Sequence, residues 1–447
     1  MNKKTEQTAV TLEKLVSLCK RRGFIYPAAE IYGGLNGVYD AGPLGMLMKD
    51  NVKNAWRTSL ARLDKEILPF DGSLLGSEIM WKASGHVDGF HDPLVDCKAC
   101  KARFRADDVD LNKPCARCGN KDWSDVRVFH LMFKTQLGAS ADHSAIAYLR
   151  PETAQTIFVQ FKNIMSSNRV KIPFGVAQVG KAFRNEITPK QFLFRMREFE
   201  QMEIEWFCKG DTALEFFEFW RAERKAFYAA IGINADKIRL RAHEKDELSH
   251  YSSATSDVEY EFPFGWKELE GIAYRGNYDL TQHSKFSGKD LAVFDDETKE
   301  SYMPHVVECS VGVDRLFLTL LFDGYHEESA PSDEGTDETR VVLKLHPSIA
   351  PIKVAFLPLV KTLAEPAEKL YKEFKRRGIS CQFDVSASIG KRYRRQDEIG
   401  TPYCITYDFD SEKDNTVTIR YRDSMKQERI AIDKIQDYLK DLTPFAQ

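Results

Sequence analysis

The stretch that decides the fold reads VAQVGKAFRNE (176–186), ITPKQ (187–191) and FLFRMREFEQMEIEW (192–206). Residues 176–183 alternate between two faces, and residues 199–206 do the same, which is the period of a β-strand. We predict an antiparallel pair of strands whose connection, residues 185–198, is unusually long and rich in arginine. Arginines and carboxylates held on strands suit the binding of phosphate oxygens, a metal ion or an ammonium group.

The composition around this stretch is that of a globular protein with several domains. The chain has 447 residues, 64 Lys+Arg against 67 Asp+Glu and a net charge of −3. No segment approaches the roughly 18 apolar residues of a membrane helix, and the polar N-terminus lacks the apolar core of a signal peptide. We therefore expect a cytoplasmic protein with no membrane partner. The Walker, Rossmann and nucleophile-elbow patterns are absent, so the commonest nucleotide-binding and hydrolase sites are unsupported.

Amphipathic patterns predict helices over 11–22, 43–63 and 211–231. The second of them begins at Pro43, which suits the first turn of a helix. Its apolar stripe fits either a core contact or a subunit interface. The stripe consists of Leu44, Leu47, Met48, Val52, Ala55 and Trp56.

The clearest boundary is the stretch DGYHEESAPSDEGTDE (323–338). It contains seven acids and neither lysine nor arginine, which predicts a flexible surface linker. Beyond it, the segments IKVAFLPL (352–359), LAEPAEKLYKEFKRRG (363–378), ISCQFDV (379–385) and PYCITYDF (402–409) alternate between strand and helix. That alternation predicts a compact C-terminal α/β domain.

Four of the nine cysteines form two pairs, Cys97-x-x-Cys100 and Cys115-x-x-Cys118, fourteen residues apart. Two such knuckles supply the four thiolates of a structural Zn²⁺ site. Four cysteine ligands leave no open position for a catalytic water. Two unrelated reduced pairs or a redox motif are the alternatives.

At this point the residues carry a resemblance. FRNE (183–186) followed by FRMREF (194–199) resembles motif 2 of the class II aminoacyl-tRNA synthetases, ECSVGVDR (308–315) resembles motif 3, and the helix from Pro43 fits motif 1. LRPETAQ (149–155), DELSHY (246–251) and GKRYRRQDE (390–398) narrow the resemblance to the dimeric glycyl-tRNA synthetases. The similarity covers nearly the whole chain apart from the acidic stretch.

The resemblance implies an α+β fold, in which an antiparallel sheet with flanking helices carries a zinc-binding insertion and precedes a C-terminal α/β anticodon-binding domain. The expected divisions are an N-terminal part of the catalytic domain with motif 1 (1–95), the zinc-binding insertion (96–122), the catalytic core with motifs 2 and 3 (123–322), the acidic linker (323–340) and the anticodon-binding domain (341–447).

The resemblance also implies a reaction. Glycine and ATP, with Mg²⁺, form glycyl-adenylate, and the glycyl group passes to the 3′ end of tRNA(Gly). Arg184, Arg315 and Glu268 are the implied catalytic residues: Arg184 holds the α-phosphate, Arg315 the γ-phosphate, and Glu268 a magnesium ion. Phe199 is implied to stack on adenine. Since a tight pocket can reject every amino acid larger than glycine, we expect no editing domain.

The remaining implied contacts form three sets. The ATP set is Arg184, Asn185, Glu186, Phe194, Arg195, Met196, Arg197, Glu198, Phe199, Glu268, Leu269, Gly312, Val313, Asp314 and Arg315. The glycine set is Arg105, Glu152, Phe199, Glu200, Gln201, Met202, Glu203, Glu308, Cys309, Ser310, Val311 and Gly312. The tRNA set is Lys391, Arg392, Tyr393, Arg394 and Arg395.

The resemblance favours a homodimer. For the apolar stripe of the second helix, it favours a subunit interface over a core contact. Two other functions stay open. A class II synthetase for proline, threonine or serine would share motifs 2 and 3 without the glycine-type segments. A non-catalytic synthetase-like protein that binds nucleic acid would tend to lose Arg184 or Arg315, and both are present.

Overall fold

The computed structural model of the chain describes residues 10–138, 146–244, 246–247, 252–331 and 337–439. The predicted α+β architecture is confirmed: a large, mainly antiparallel sheet with flanking helices is followed by a C-terminal α/β domain. Of the DELSHY motif, residues 248–251 lie outside the described ranges. Among the residues described, no helix is long and apolar enough to cross a membrane.

The large sheet has seven strands, which in chain order are β1 (Ile67–Phe70), β2 (Phe174–Phe183), β3 (Glu198–Cys208), β4 (Ile238–Ala242), β5 (Ala254–Phe262), β6 (Gly265–Gly276) and β7 (His305–Gly312). Their order across the sheet is β4-β5-β6-β7-β3-β2-β1, and only β1 and β2 run parallel. The predicted pair of strands is confirmed as β2 and β3, with Gln178 opposite Glu203. Because side chains alternate along a strand, the sheet has one apolar and one polar face.

The helices described are α1 (Leu12–Arg22), α2 (Pro43–Ala61), α3 (Glu78–Ala83), α4 (His86–Gly89), α5 (Ala154–Asn168), α6 (Ala213–Ala230), α7 (Tyr278–Ser287), α8 (Val313–Gly324), α9 (Ala364–Arg376), α10 (Ile389–Ile399), α11 (Ser411–Asp414) and α12 (Ile435–Tyr438). The three helices predicted at 11–22, 43–63 and 211–231 are confirmed as α1, α2 and α6. At the start of α1, Thr11 Oγ1 accepts a hydrogen bond from the Lys14 amide at 3.3 Å. Gly23 ends the helix in the left-handed region, at φ 75°.

The apolar stripe of α2 lies in the chain's own core. Met48, Val52, Ala55 and Trp56 are buried together with residues of β3, α6 and α8, whereas Leu47 is exposed. The expectation that this stripe faces a second subunit is therefore wrong. The apolar face of the large sheet needs a cover within the chain, and α2 provides part of it.

Short strands build the rest of the catalytic part. Ile25–Pro27 pairs with Tyr39–Ala41, Leu75–Ser77 and Lys134–Gln136 flank Ile146–Leu149, and Val293–Phe294 pairs with Ser301–Tyr302. The insertion has its own antiparallel sheet, in which His91–Asp96 lies between Arg103–Arg105 and Arg127–His130. The cysteine pairs lie beside this sheet.

The acidic stretch is not a flexible linker over the part described. Tyr325–Pro331 pairs with Asp337–Leu343 in an antiparallel hairpin, although residues 332–336 lie outside the described ranges. Two of its acids are ion-paired: Lys14 of α1 lies 2.8 Å from Glu327, and Arg340, on the opposite strand of the hairpin, lies 2.9 Å from Glu328. Composition predicted a solvated linker because it reveals neither the pairing of the two strands nor a partner as distant as Lys14.

The C-terminal domain has a five-stranded mixed sheet in the order Cys381–Phe383, Val354–Pro358, Tyr403–Tyr407, Thr416–Tyr421 and Gln427–Ala431. Its apolar residues form a separate core against α9. Helix α10 lies on the side facing the hairpin and α1, where Arg22 Nε is 2.5 Å from Glu398 Oε2. The predicted alternation of strands and helices is confirmed.

Candidate active site

The polar face of the large sheet forms the floor of a cleft of about 410 Å³. The register brings Glu203 of β3 and Gly271 of β6 to either side of Ser310 on β7. The predicted residues that line the cleft are Glu152, Arg184, Glu186, Phe194, Arg195, Met196, Phe199, Gln201, Glu203, Glu268, Glu308, Ser310, Gly312, Asp314 and Arg315. Residues from four separate parts of the sequence thus meet in one place.

Three carboxylates from separate segments interact in this cleft: Glu203 is buried, and Glu152 and Glu308 are largely buried. Glu203 Oε1 accepts a hydrogen bond from Ser310 Oγ at 2.7 Å, and its Oε2 accepts from the amide of Thr153 at 3.0 Å. Glu152 Oε2 lies 3.3 Å from His86 Nε2. The third carboxylate, Glu308, is across the β-ladder from Glu205.

Arg275, at the end of β6, is the cation that balances part of this charge. It is buried, donates to both carboxylate oxygens of Asp279 at 2.8 and 2.9 Å, and donates to Glu308 Oε2 at 2.7 Å. The acids Glu152, Glu203 and Glu308 therefore outnumber the cations in contact with them. A ligand that carries a positive charge would complete the cluster.

The pKa values of the three carboxylates differ because their neighbours differ. Burial opposes ionisation of Glu152, yet His86 and Arg275 hold its pKa well below the usual range. Burial, together with the charge of Glu152, raises the pKa of Glu203. Burial and the charges of Glu203 and Glu152 outweigh Arg275 and raise the pKa of Glu308 to about 7. Near pH 7 Glu308 is thus about half protonated, and an ammonium group could displace that proton.

Glu205 lies two residues beyond Glu203 on the same face of β3 and was not predicted as a site residue. It is fully buried, and among the residues described neither of its carboxyl oxygens has a hydrogen-bond partner. Burial and the charge of Glu308 raise its pKa well above the usual range. We therefore treat Glu205 as a neutral acid that adds no charge to the cluster.

One hydrogen bond and two aromatic rings orient the Arg184 side chain in the cleft. Its Nε donates to the carbonyl of Pro151 at 3.0 Å, and its guanidinium carbon lies 5.4 Å from the ring centres of both Phe90 and Phe199. This arrangement fixes the plane of the guanidinium group. The Nη atoms stay available for bidentate contact with an anion.

Arg315 lies at the start of α8 and reaches over the cleft. Its Nη1 donates to the carbonyl and to Oε1 of Glu268, at 3.0 and 3.2 Å, and its guanidinium group stacks 4.5 Å from the ring centre of Phe194. Two glycines keep the floor open. A Cβ on Gly271 would meet no atom within 4 Å, and one on Gly312 would meet only Arg315. Side chains there would occupy space that a nucleotide could fill.

Several residues of the ATP and glycine sets face away from the cleft. Met202, Cys309 and Val311 point into the apolar core, as do Leu269 and Val313. The implied assignment of these side chains to a substrate is corrected for a simple reason. Neighbouring residues of a strand cannot all face the same side, so a continuous run of contacts can involve only the backbone at every second position.

Glu198 and Glu200 likewise make ion pairs outside the cleft. Glu198 pairs with Lys181 on β2, and Glu200 lies 2.5 Å from Lys49 on α2. Their side chains therefore stabilise contacts between elements and do not line the cleft.

Arg197, Asn185 and Arg105 are also absent from the cleft lining. Arg197 Nη1 donates to the carbonyl of Asn36 at 2.7 Å, and the backbone N–H of Asn185 donates to the carbonyl of Leu131 at 2.7 Å. Arg105 pairs with Asp92 at 2.9 Å within the insertion. These three residues join neighbouring segments to the strands of the site.

The cleft contains residues that sequence reasoning missed, namely Leu193, His243, Thr255, Asp257, Gly271, Ala273 and Arg275. Gly271, Ala273 and Arg275 alternate along β6, but a strand period counted from Glu268 indicates Glu270, Ile272 and Tyr274 instead, because the pairing of β5 with β6 shifts register between Glu268 and Glu270. His243 and Asp257 form a pair, with His243 Nε2 2.8 Å from Asp257 Oδ2. Nothing in the sequence joins those two positions, which come from different strands.

The four predicted zinc ligands come together at the insertion. All four Sγ atoms lie within 4.8 Å of one another, with Cys97 to Cys118 at 3.5 Å and Cys100 to Cys115 at 3.8 Å. A tetrahedral site with Zn–S bonds of about 2.3 Å requires sulfurs about 3.8 Å apart. The amides of Cys100 and Ala99 lower the pKa of the Cys97 thiol to about 7, whereas, against the amide of Asn120, burial and the neighbouring thiols raise the pKa of the Cys118 thiol to about 11. The cluster fits a zinc ion.

The predicted tRNA contacts on α10 differ in accessibility. Lys391 is exposed, whereas Arg392 is only 3% exposed and donates to the carbonyls of Pro358 and Leu359. Tyr393 OH is 2.6 Å from Thr406 Oγ1, and its ring is covered by Arg420 at 4.7 Å. The expectation that Arg392 and Tyr393 contact tRNA is corrected, because both side chains are used inside the domain.

The other two basic residues of α10 are partly accessible and ion-paired. Arg394 Nε lies 3.3 Å from Glu338, and Arg395 donates two hydrogen bonds to Asp384 Oδ2, at 2.6 and 2.8 Å. Phosphate groups would have to compete with these carboxylates.

Comparison with known proteins supplies a family. Residues 133–323 match the tRNA synthetase class II core domain (G, H, P, S and T), and residues 353–442 match the anticodon binding domain. A protein of Caldanaerobacter subterraneus named glycine–tRNA ligase is 50% identical over 463 residues, covering 98% of this chain and 99% of the relative. The glycine–tRNA ligase of Treponema denticola is 52% identical over 432 residues, 95% of each chain, and that of Clostridium kluyveri is 50% identical over 463 residues, 97% of this chain and 99% of the relative.

Proposed function

Since the chain belongs to the glycine–tRNA ligase family of class II synthetases, we propose that it is an ATP-dependent enzyme that joins glycine to the 3′ end of tRNA(Gly). In the first step a carboxylate oxygen of glycine attacks the α-phosphorus of ATP, the bond to the bridging oxygen breaks, and pyrophosphate leaves. In the second step the terminal ribose hydroxyl of tRNA attacks the carbonyl carbon of glycyl-adenylate, and AMP leaves. Neither step needs a covalent bond to the protein, so positioning and charge neutralisation supply the rate.

The observation that carries this proposal is the acid-rich cluster of Glu152, Glu203 and Glu308. It is buried, it has fewer cations than carboxylates, and it opens into the same cleft as Arg184. The ammonium group of an amino acid would supply the missing positive charge, while its carboxylate would extend toward the α-phosphate near Arg184. An amino acid that is activated by ATP fits both ends of this arrangement.

The packing of the cluster favours the smallest amino acid. Glu203 is held by Ser310, Gln201 and the amide of Thr153, and it is 2% exposed. Because it cannot move aside, a side chain on the substrate would clash with it. No amino acid is smaller than glycine, so steric exclusion is sufficient without an editing domain.

For ATP we assign Arg184 to the α-phosphate, Arg315 to the γ-phosphate and Phe199 to the adenine ring, with Glu186 and Arg195 beside them. The open floor at Gly271 and Gly312 supports a bound nucleotide. Glu268, whose side chain is half exposed at the cleft edge, is the residue that would hold Mg²⁺. The ion would neutralise charge on the phosphates.

We further propose that the four cysteines hold a structural zinc ion. It would fix the two loops of the insertion and take no part in the chemistry, because four thiolates fill a tetrahedral shell. For tRNA we propose that the C-terminal domain binds the anticodon through the accessible cations Lys391, Arg394 and Arg395. A cytoplasmic location agrees with nine cysteines that are all free thiols.

We also propose a homodimer, on evidence other than the stripe of α2. Ile31 and Tyr32 are 87% and 86% exposed, and Leu35 and Met46 nearby in the chain are exposed as well. Large apolar side chains in one segment indicate a surface that another molecule covers. Sedimentation of the purified chain checks this, and a monomer at micromolar concentration would contradict it.

The decisive experiment for the function is pyrophosphate exchange into ATP, measured with each amino acid in turn. We expect exchange with glycine alone. Exchange with proline, threonine or serine, and none with glycine, would reassign the substrate. No exchange with any amino acid would favour a non-catalytic nucleic-acid-binding protein.

Arg184→Ala provides the matched variant for that experiment. We expect it to abolish exchange and to leave the fold intact, because within the described part of the chain the side chain makes one hydrogen bond, to the carbonyl of Pro151. Near-normal exchange would refute the role of Arg184.

A further inference from the structure

We infer that His86 is a positioning residue for glycine, acting through Glu152. The inference rests on the proposed function, in which Glu152 receives the substrate ammonium group. His86 belongs to no set implied by the resemblance, it does not line the cleft, and its side chain is largely buried behind Glu152.

The first step of the argument is the contact itself. His86 Nε2 lies 3.3 Å from Glu152 Oε2. A carboxylate only accepts hydrogen bonds, so Nε2 carries the hydrogen. Gln155 Nε2 donates to the other oxygen of Glu152 at 3.0 Å, and the two donors together fix the plane of the carboxylate.

The second step is the rigidity of His86. Its Nδ1 lies 2.8 Å from Ser84 Oγ, and the single hydrogen of that hydroxyl can be donated either to Nδ1 or to the carbonyl of Trp81 at 3.2 Å. The imidazole packs edge-on against Trp81 at 5.3 Å and against Phe90 at 5.6 Å. Both ring nitrogens and the ring edges are thus occupied, so the imidazole has one available orientation.

The third step is the position of this support in the site. Phe90 directly follows α4 and also packs on Arg184. The segment from Ser84 to Phe90 therefore contacts both the residue assigned to the ammonium group and the residue assigned to the α-phosphate. A fixed carboxylate matters most for glycine, because a substrate without a side chain can be oriented only through its ammonium and carboxylate groups.

The test compares four single variants by steady-state exchange with glycine and ATP. His86→Phe keeps the aromatic packing and loses the donor, and we expect the KM for glycine to rise by about tenfold or more while the KM for ATP stays within about twofold. His86→Gln places an amide N–H close to the position of Nε2, and we expect it to restore most of the glycine affinity. His91→Ala changes an exposed histidine five residues away, and we expect parent values.

The fourth variant, Glu152→Gln, separates this inference from the proposed function. If it raises the KM for glycine and His86→Phe does not, the role of His86 is overturned and the glycine site stands. If it leaves the KM unchanged, the assignment of Glu152 fails, and the inference fails with it. In the double variant that combines His86→Phe with Glu152→Gln, we expect the KM for glycine to be no higher than in Glu152→Gln alone, since His86 acts through Glu152. Additive effects would overturn the inference, as would equal rises in the KM for both substrates.

Discussion

The replacement Arg275→Met tests whether the acidic cluster depends on one buried cation. Methionine keeps most of the apolar stem and removes the guanidinium group. The variant loses the bonds to Asp279 and Glu308, three hydrogen bonds of 2.7 to 2.9 Å between buried charged groups. Breaking a buried ion pair by removing one partner costs about 3–5 kcal/mol. This is a large part of the roughly 5–15 kcal/mol by which a protein is stable.

The loss should depend on pH in a defined direction. Arg275 is a group that lowers the pKa of Glu308, so without it that pKa rises further above 7, away from the ordinary value of 4.5. The native variant then keeps a proton that the unfolded chain releases. Its stability is therefore present at low pH and falls as the pH rises through this range. We expect a smaller loss at pH 6 than at pH 8.

Urea unfolding followed by tryptophan fluorescence is the suitable assay. All six tryptophans lie between Trp56 and Trp266, so the signal reports on the catalytic part and not on the C-terminal domain. Lys82→Met is the control in the same part of the chain: it breaks the solvent-accessible pair with Glu78, which should contribute less than about 1 kcal/mol. A loss below about 1 kcal/mol for Arg275→Met at pH 8, or a loss that grows as the pH falls, would refute the reasoning.

Three further results are expected. Glu308, with a pKa of about 7, is roughly nine-tenths ionised at pH 8 and one-tenth at pH 6. If the ionised form binds the ammonium group, kcat/KM for glycine should fall about tenfold when the pH is lowered from 8 to 6; a flat pH–rate profile would contradict this. Gly271→Val should raise the KM for ATP at least about tenfold and leave the KM for glycine nearly unchanged, since its side chain would enter the open floor of the cleft; steady-state kinetics decide it. Cys115→Ser should reduce the zinc content from one ion per chain, measured by elemental analysis, because this buried ligand cannot be replaced from solvent; a parent chain that is active and free of metal would remove the zinc assignment.

The sequence predicted the features that depend on local periodicity. The alternation in 176–206 identified β2 and β3, and the cysteine spacing brought four sulfurs together. The same alternation could have divided the continuous runs of implied contacts, because Gln201 and Glu203 share one face of β3 whereas Glu200 and Met202 share the other. The alternation was visible in the sequence, but the resemblance implied contacts at every position of each run and so did not separate the two faces.

Features that depend on a distant partner could not be predicted in this way. An amphipathic helix shows that one face is covered, but the stripe of α2 does not state whether the cover is the same chain or another. A basic helix suggests phosphate binding, yet the Arg392 guanidinium group donates to the carbonyls of Pro358, at the end of a strand, and of Leu359, which follows it. Likewise Glu327 of the hairpin pairs with Lys14, which precedes it by 313 residues in the chain.

The cluster around Glu152, Glu203 and Glu308 also shows why a glycine site should be built from excess acid. A substrate without a side chain offers no apolar surface to bury, so the available binding energy must come from its two charged groups. Removing carboxylates from water is costly unless cations accompany them. Arg275 and His86 meet part of this cost and hold the geometry, and Glu205 avoids it by remaining neutral. The part left uncompensated raises the pKa of Glu308 to about 7, and in the proposed glycine site an incoming ammonium group would relieve it by displacing the proton. Repulsion between carboxylates that only the substrate removes would give affinity for the ammonium group, and the close packing that keeps the carboxylates together would exclude larger amino acids.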